Sequence, residues 1–265
     1  MTNKLSDVQL DKFKAIIIGD QGSGKTTLAA TAPGRQYWFC FEPGLLSVRT
    51  AHPEWEDRLD YDEYLLSPEP KEMHLAFERA YNMLTKERTK LMSYNVIVLD
   101  SLLSLSEAIF EFCKGKYFGK AGQPLVPEKG QDFRPVYQAL AQYGWQFING
   151  LATLPNTSFL LVSHEDFIRD DTTGAMYYGM SCLGQALPMR LPKMFDEIWR
   201  TVSTVTNDGV QSVRVQTRGG NQFKAKSRLG CFDQFEQPNI SEMITKATNF
   251  VAAQSSKATS KTERS

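Results

Sequence analysis

A glycine-rich segment near the amino terminus carries the clearest chemistry in this sequence. Residues 19–26 read GDQGSGKT and match the pattern GxxxxGK[ST]. Glycines let backbone N–H groups approach phosphate oxygens closely, and the start of a helix adds favourable partial charge. The pattern predicts that Lys25 reaches the β and γ phosphates of a nucleotide and that Thr26 holds Mg²⁺. The predicted binding set is Gly19, Asp20, Gln21, Gly22, Ser23, Gly24, Lys25, Thr26 and Thr27. The alternative is a glycine-rich turn that happens to contain a lysine.

A carboxylate that could complete a metal site ends the strand predicted over residues 95–100. The apolar run VIVL stops at Asp100, where a carboxylate is needed to hold Mg²⁺ through water. The alternative role of Asp100 is a helix N-cap, because Asp followed by Ser commonly caps helices. With a phosphate loop upstream, the metal role of Thr26 and Asp100 is the favoured interpretation.

Hydrolysis would also need a carboxylate that orients the attacking water. In many ATPases with this loop, that carboxylate directly follows the metal-binding Asp, but the position is Ser101 here. Glu42 follows the strand predicted over residues 37–41 and should project from the same edge of the sheet. We therefore predict Glu42 as the catalytic carboxylate, with a surface carboxylate in a turn as the alternative.

Predicted strands and helices alternate along the first two thirds of the chain. Apolar, β-branched runs predict buried strands over residues 13–18, 37–41, 95–100 and 158–163. Apolar residues spaced by three and four predict helices after Gly24, over 73–84, over 104–113, from 135 to 154, and after a capping box at Asn239 and Glu242. Residues 197–205 and 210–216 flank a turn, which predicts a hairpin. The fold class predicted is therefore α/β, with a mainly parallel central sheet flanked by helices and an antiparallel hairpin at the C-terminal edge.

Several segments lie outside this pattern. Residues 52–72 are acidic and contain three prolines, which predicts a solvated excursion. Residues 114–132 and 166–184 are polar and contain glycine, so both are predicted as irregular loops and the first as mobile. The predicted division of the chain is an extension over residues 1–12, one domain over 13–253, and a disordered low-complexity tail over 254–265.

Composition excludes several classes of protein. The chain has 265 residues, of which 42% are hydrophobic and 23% charged, as is typical of a globular protein. Thirty basic residues balance thirty acidic ones, which excludes a globally basic nucleic-acid coat. The four cysteines lie far apart without a CxxC motif and are predicted to be reduced, buried thiols, not a disulfide framework or a zinc site. The sequence contains neither a membrane-length apolar run nor a signal region, so we expect a cytoplasmic protein with no membrane partner.

Four of these motifs together resemble the RecA family of recombinase ATPases, and more narrowly the small phage-encoded RecA-like proteins associated with single-strand annealing. GDQGSGKT is similar to the family's phosphate loop, FCFEPG to its catalytic-glutamate strand and VIVLDSL to its magnesium strand. FLLVSHED stands where the γ-phosphate sensor follows a strand, so the resemblance implies a sensor role for Ser163 and His164. A buried structural His164 is the alternative. The resemblance covers residues 13–232 and implies a RecA-like P-loop NTPase fold.

The same resemblance implies two DNA-contacting loops, one after the magnesium strand and one after the sensor strand. The first contains lysines and aromatic residues that suit phosphate contact and base stacking, namely Lys114, Lys116, Tyr117, Phe118 and Lys120. The second, residues 166–184, contains three Asp residues near its start, which argues against DNA binding. Ordinary solvated loops are the alternative for both.

The segment FKAKSR resembles the Lys-x-Lys element through which one RecA subunit reaches the nucleotide of its neighbour. The resemblance gives this catalytic role to Lys224 and Lys226, ahead of Arg228, because a cation there stabilises charge on the γ phosphate. It further implies a homo-oligomer, ring or filament, with active sites between subunits. A basic strand face that contacts nucleic acid or water is the alternative.

The sequence therefore predicts an enzyme that binds ATP and Mg²⁺, hydrolyses ATP and acts on single-stranded DNA. The resemblance implies annealing or strand exchange in phage recombination, in the host cytoplasm. A nucleotide-gated loader or scaffold without DNA chemistry is the main alternative, and the neutral net charge and acidic residues 52–72 fit it. A P-loop kinase for a small molecule would need an arginine-dense lid, which the sequence does not offer.

Overall fold

The computed structural model describes residues 12–118, 132–169, 174–205, 209, 211–220, 222–223 and 225–262. Within these ranges the side chains of residues 117–118 and 255–262 are not described.

A large β-sheet forms the centre of the molecule. Its strands are β1 (Lys14–Gly19), β2 (Gln36–Cys40), β3 (Leu59–Glu63), β4 (Val96–Asp100), β5 (Ser158–Arg169), β6 (Met176–Met180), β7 (Glu197–Val205), β8 (Gln211–Gln216), β9 (Lys226–Ser227) and β10 (Phe235–Glu236). The main path runs in the order β10-β8-β7-β1-β5-β4-β2-β3, with β6 beside β5 and β9 beside β7. Neighbours from β7 to β3 pair in parallel, whereas β8 pairs antiparallel with both β7 and β10. The predicted fold class is therefore confirmed, including the antiparallel hairpin at the C-terminal edge.

Helices cover both faces of this sheet. They are α1 (Lys25–Ala30), α2 (Leu45–Ala51), α3 (Leu75–Lys86), α4 (Arg88–Leu91), α5 (Leu102–Phe118), α6 (Arg134–Ala152), α7 (Ala186–Arg190) and α8 (Ile240–Thr262). Helices α3, α5 and α6 pack on one face in a core rich in aromatic rings. Helices α1 and α8 pack on the other face around Trp38 and Trp199. None of the helices in the described ranges is long and apolar enough to cross a bilayer.

The central strands are apolar on both faces because both faces are covered. In β1, Ile16 and Ile18 enter the core under α3, α5 and α6, whereas Ala15 and Ile17 enter the core under α1 and α8. Such a strand is a near-continuous apolar run, as is usual for buried parallel sheets. The run in β1 is what made this strand predictable from the sequence.

The strand register gathers the candidate site residues at one edge of the sheet. Gly19, the last residue of β1, pairs with His164 of β5 and with Thr201 of β7. Cys40, the last residue of β2, pairs with Asp100 at the end of β4. Parallel strands end at the same edge, so the phosphate loop, Glu42, Asp100 and His164 all leave the sheet there.

The prediction of a solvated excursion over residues 52–72 is right about exposure, because most of these side chains are exposed, but it missed the regular structure. Residues Pro53–Arg58 form a 3₁₀ helix, and β3 then pairs in parallel with β2 as the edge strand. The acidic side chains of β3 that made the segment look solvated are hydrogen-bonded by neighbouring residues. Asp60 accepts from Tyr94 at 2.7 Å, and Asp62 accepts from Tyr37 of β2. A sequence pattern does not reveal such partners.

The two predicted loops are also shorter than expected. Helix α5 continues to Phe118, so the first loop does not begin at residue 114, and residues 119–131 lie outside the described ranges. Strand β5 continues to Arg169 and pairs antiparallel with β6, so much of the second loop is a β-hairpin. The helical backbone of α8 reaches Thr262, beyond the predicted end of the ordered domain at residue 253.

Two further predictions agree with the structure. The capping box opens α8 as expected, because the backbone N–H of Glu242 donates to Asn239 and the Asn239 amide donates back to Glu242. All four cysteines are free thiols, although only Cys40 and Cys113 are buried and Cys182 and Cys231 are partly exposed.

Candidate functional site

The phosphate loop connects β1 to α1 and depends on two glycines with positive φ. Gly22 has φ 72° and Gly24 has φ 84°, a left-handed region in which a Cβ would be strained. Between them, the backbone N–H of Ser23 donates to the carbonyl of Asp20 at 3.2 Å. The loop therefore presents its backbone to the cavity in front of α1, as phosphate binding requires.

Residues of β7 and β8 hold the phosphate loop in place, and the sequence does not reveal these contacts. The hydroxyls of Ser23 and Thr201 lie 2.7 Å apart, and both residues are buried. A Cβ on Gly19 would lie 2.1 Å from the Thr201 Oγ1, so only glycine fits at that position. The amide of Gln211 donates to the carbonyl of Gly22 at 3.1 Å. These contacts fix the loop's shape from the C-terminal part of the chain.

Lys25, the first residue of α1, is a buried cation within this loop. Its Nζ donates to the carbonyl of Asp20 at 2.7 Å. Burial lowers the pKa of Lys25, while the charges of Asp100 and Glu42 act in the opposite direction. A cation in this environment gains strongly from an anionic partner, and phosphate oxygens would supply one.

Thr26 and Asp100 meet at the predicted metal position. The Thr26 hydroxyl donates to Asp100 Oδ2 at 2.9 Å, while the buried Oδ1 has no hydrogen-bond partner among the described residues. A Cβ on Gly44 would lie 3.6 Å from Thr26 Oγ1 and 3.7 Å from Asp100 Oδ2, so any side chain at this position would contact the pair. A hydroxyl with one unsatisfied carboxylate oxygen fits Mg²⁺, which is usually held by one or two carboxylates together with substrate phosphates. In the described part of the chain, no cluster of three His, Cys, Asp or Glu side chains could hold a metal without such phosphates.

Asp100 is an acidic group whose environment opposes its charge. Burial first, and then the nearby charge of Glu42, raise the pKa of Asp100 to about 7, although Thr26, Lys25 and His164 act in the opposite direction. A raised folded-state pKa means that the unfolded chain ionises first. Without nucleotide or metal, the contribution of Asp100 to the free energy of unfolding should therefore fall as pH rises from about 4 to about 7, and level off above.

Substitution Asp100→Asn tests this directly, because Asn keeps the size and the acceptor but cannot ionise. We expect the variant to gain stability relative to the natural chain as pH rises from 5 to 8, by at least about 1 kcal/mol. The measurement is urea unfolding in the presence of a chelator at both pH values. Asp57→Asn, at an exposed carboxylate outside the site, is the control, and an equal change in both variants would contradict the assignment.

Glu42 follows β2 and forms a compact polar cluster with residues from two other elements. Its carboxylate lies 2.9 and 3.1 Å from Nε2 of His164, at the edge of the sheet, and accepts from the Ser104 hydroxyl of α5 at 3.1 Å. Burial by itself raises the pKa of Glu42, but the hydrogen bonds from His164 and Ser104 and the His164 charge give a net lowering. Glu42 is therefore ionised, oriented and half-buried, unlike a free surface carboxylate in a turn.

The two predicted sensor residues differ in what they contact. His164 is half-buried and touches Glu42, whereas the buried Ser163 hydroxyl donates to the His164 carbonyl at 2.9 Å. Ser163 therefore has a backbone contact within β5. His164 is the one of the pair that meets another predicted site residue.

A cavity of about 850 Å³ contains most of the predicted site. Its lining includes the phosphate loop, Glu42 with the following turn, His164 and residues of β8, namely Gln21, Gly22, Gly24, Lys25, Thr26, Thr27, Leu28, Glu42, Pro43, Gly44, Ser47, Leu103, His164, Gln211, Val213 and Pro238. Residues from β8 and Pro238 form the wall that the sequence did not indicate. This volume suits a nucleotide-sized ligand.

The predicted basic finger lies at the other end of the sheet. Strand β9 pairs with Glu197 and Ile198 at the start of β7, about 13 Å along that strand from Thr201. Lys226 donates to the carbonyls of Pro192 and Phe195 and so makes a structural contact in this chain. Lys224 lies outside the described residues.

Arg228 is the more accessible cation of this segment. It pairs with Asp196 at 2.8 Å and leaves 55% of its side chain exposed. Its backbone N–H donates to the buried carboxylate of Glu197, which anchors the segment. Because this segment lies at the far end of the sheet, neither Lys226 nor Arg228 faces the nucleotide cavity of its own chain.

The structure does not present the first two predicted DNA contacts as free loop lysines. Lys114 is buried on α5 and pairs with Glu111 at 2.5 Å. Lys116 is exposed and donates to the Tyr143 hydroxyl of α6 at 2.6 Å. The predicted loop does not begin at residue 114 because α5 is longer than its apolar pattern indicated, and the DNA contacts of these lysines stay a prediction. The structure describes neither the side chains of Tyr117 and Phe118 nor any part of Lys120.

A phosphate loop between a parallel strand and a helix, facing a carboxylate and a hydroxyl on a nucleotide-sized cavity, defines a P-loop nucleotide-binding protein. The family model described as AAA domain, AAA_24, matches residues 11–229, and the chain belongs to that family. A search of curated proteins gave no match. Among solved structures, the crystal structure of the RadB recombinase is similar over 81% of this chain and 90% of that chain, with 12% sequence identity and a TM-score of 0.42.

Proposed function

We propose that this chain binds ATP with Mg²⁺, hydrolyses it, and couples that cycle to single-stranded DNA during recombination, by annealing or strand exchange. The observation that carries the ATPase part is the convergence of Lys25, Thr26 and Glu42 on one cavity, with Asp100 hydrogen-bonded to Thr26. The DNA substrate, the oligomer and the phage setting are supported by the resemblance of the four sequence motifs to RecA-like proteins.

Each site residue has a definite task in this proposal. The loop backbone and Lys25 hold the phosphates, and Thr26 with Asp100 would hold the metal ion. Mg²⁺, when bound, neutralises charge on the phosphate oxygens. Glu42 accepts a hydrogen bond from the attacking water and orients it, while His164 and Ser104 hold the carboxylate in place. Phosphoryl transfer depends mostly on positioning and electrostatics, so the lowered pKa of Glu42 suits an orienting acceptor.

The proposed active site lies between subunits of a homo-oligomer. Because residues 226–228 lie at the far end of the sheet, their cations cannot reach the nucleotide cavity of their own chain. In a head-to-tail assembly these cations would face the cavity of the next copy, which is a heterologous contact. Arg228 is better placed for this than Lys226, because its side chain is more than half exposed.

A nucleotide-gated loader or scaffold is the second candidate. It is favoured by the internal partners of Lys114 and Lys116, which remove two expected phosphate contacts. The hairpin formed by β5 and β6 also carries the exposed Asp166 near its base. Neither feature suits a DNA-binding surface.

Steady-state ATP hydrolysis with and without single-stranded DNA separates these functions. For the recombination function we expect stimulation of at least tenfold by DNA at low salt, weakening at moderate salt because phosphate contacts are salt-dependent. Turnover that ignores DNA would instead support the loader or scaffold. ATP consumption that requires a small-molecule acceptor would support a kinase and contradict the proposal.

A further inference from the structure

Two neighbouring residues of β5 make contacts on opposite faces of the sheet, and the first of these contacts lies in the nucleotide site. His164 contacts Glu42, and the next residue, Glu165, pairs with Arg200 of β7. Successive side chains of a strand point to opposite faces of the sheet, so the two contacts are made on different faces. Beyond this point, residues 165–169 leave the central sheet and pair only with β6. We call residues 165–169 together with β6 the arm.

The contact between Glu165 and Arg200 is a bidentate ion pair. Arg200 Nε lies 2.6 Å from Oε2 and Nη2 lies 2.9 Å from Oε1, with side-chain exposures of 19% for Arg200 and 8% for Glu165. The guanidinium also lies 4.2 Å from the ring centroid of Tyr178 on β6. A planar, two-point pair of this kind fixes orientation as well as distance. Arg200 therefore holds both strands of the arm at their base.

The residue after Arg200 is the one that anchors the phosphate loop. Thr201 contacts the hydroxyl of Ser23 and packs against Gly19. A displacement of the loop by bound phosphates would act on Thr201 and, through one peptide unit, on Arg200. The arm base is thus linked to the phosphate loop by the Glu165–Arg200 ion pair, the peptide unit between Arg200 and Thr201, and the Thr201–Ser23 contact.

We propose that Glu165 and Arg200 are a positioning pair that transmits the state of the phosphate loop to the arm. The proposal rests on nucleotide binding at the loop, which is part of the proposed function, and does not depend on DNA. The pair touches no predicted substrate atom and acts through Thr201 on one side and Tyr178 on the other. Phe167 and Met176 on the arm, 46% and 41% exposed, would move with its base.

Hydrogen exchange of the full chain, with and without a non-hydrolysable ATP analogue and Mg²⁺, tests the proposal. In the natural chain we expect the analogue to slow exchange at residues 19–27 and, by at least threefold, in the arm. In Glu165→Gln, which keeps the shape but removes the charge, we expect the same protection of the loop and none in the arm. Analogue affinity should stay within about threefold. Asp132→Asn, which removes an exposed ion pair with Arg134, is the matched control and should behave as the natural chain.

The outcomes separate the two proposals. If the analogue slows exchange in the phosphate loop but not in the arm of the natural chain, the result would contradict transmission to the arm and would still support nucleotide binding. Arm protection that persists in Glu165→Gln would contradict the role of the pair. No protection at residues 19–27 would contradict the proposed function, and the transmission proposal with it. If Glu165→Gln does not fold, Arg200→Lys, which keeps the charge without the bidentate geometry, should at least halve the arm response.

Discussion

Replacing Lys25 with Met is expected to weaken ATP binding by two orders of magnitude or more, about 2.7 kcal/mol. Lys25 carries the buried ammonium of the phosphate loop. Burial lowers its pKa, so keeping the ammonium charged costs free energy, which bound phosphate would offset. Met keeps the packing of the aliphatic stem. We therefore expect the nucleotide-free variant to melt at the same temperature as the natural chain, or higher.

Titration of a fluorescent ATP analogue measures the affinity, and thermal unfolding with and without ATP provides an independent reading. A ligand that binds only the folded state raises the melting temperature, so the shift should vanish in the variant. Lys86→Met, at an exposed lysine in the last turn of α3, is the control and should retain full binding. Unchanged affinity in Lys25→Met would show that the phosphates bind elsewhere.

Replacing Glu42 with Gln is expected to lower ATP turnover by 10²–10⁴, the range typical of a lost acid–base group. The amide preserves the size of the side chain and can still accept from Ser104, but it is a far weaker acceptor for a water proton. Lys25, Thr26 and Asp100 are untouched, so ATP affinity should change by less than about threefold. The expected result is a variant that binds ATP and fails to hydrolyse it.

Single-turnover hydrolysis measured alongside analogue binding distinguishes lost chemistry from lost affinity. Glu63→Gln provides the matched control, because Glu63 is an exposed carboxylate at the end of β3, in register with Cys40 of β2. Normal turnover in Glu42→Gln would assign the water-orienting role to another carboxylate and return Glu42 to a purely structural role.

The parts of the site that the sequence predicted are those encoded locally. The phosphate loop is a contiguous motif, and the ends of β2, β4 and the apolar first half of β5 are visible as runs that stop at a polar residue. Because parallel strands end at one edge, these predictions were enough to place Glu42, Asp100 and His164 near the loop. The direct contact between Glu42 and His164 confirms that placement at atomic distance.

The parts that could not be predicted depend on residues distant in the chain. The acidic strand β3 forms because tyrosines of β2 and of the segment before β4 donate to it. β8 forms one wall of the cavity, and Thr201 of β7 anchors the phosphate loop. Both residues that make these contacts lie more than 170 residues after the phosphate loop. No window of local sequence contains both partners of these contacts.

The packing of Gly19 against Thr201 has an evolutionary consequence. Position 201 lies far outside the phosphate-loop motif, yet its hydroxyl occupies the space that any side chain at position 19 would need. A larger residue at 201 would press on the loop unless positions 19 or 23 changed as well. Residues 19, 23 and 201 should therefore change together among homologues of this chain. Such covariation would reveal a sequence motif made of two segments that are distant in the chain.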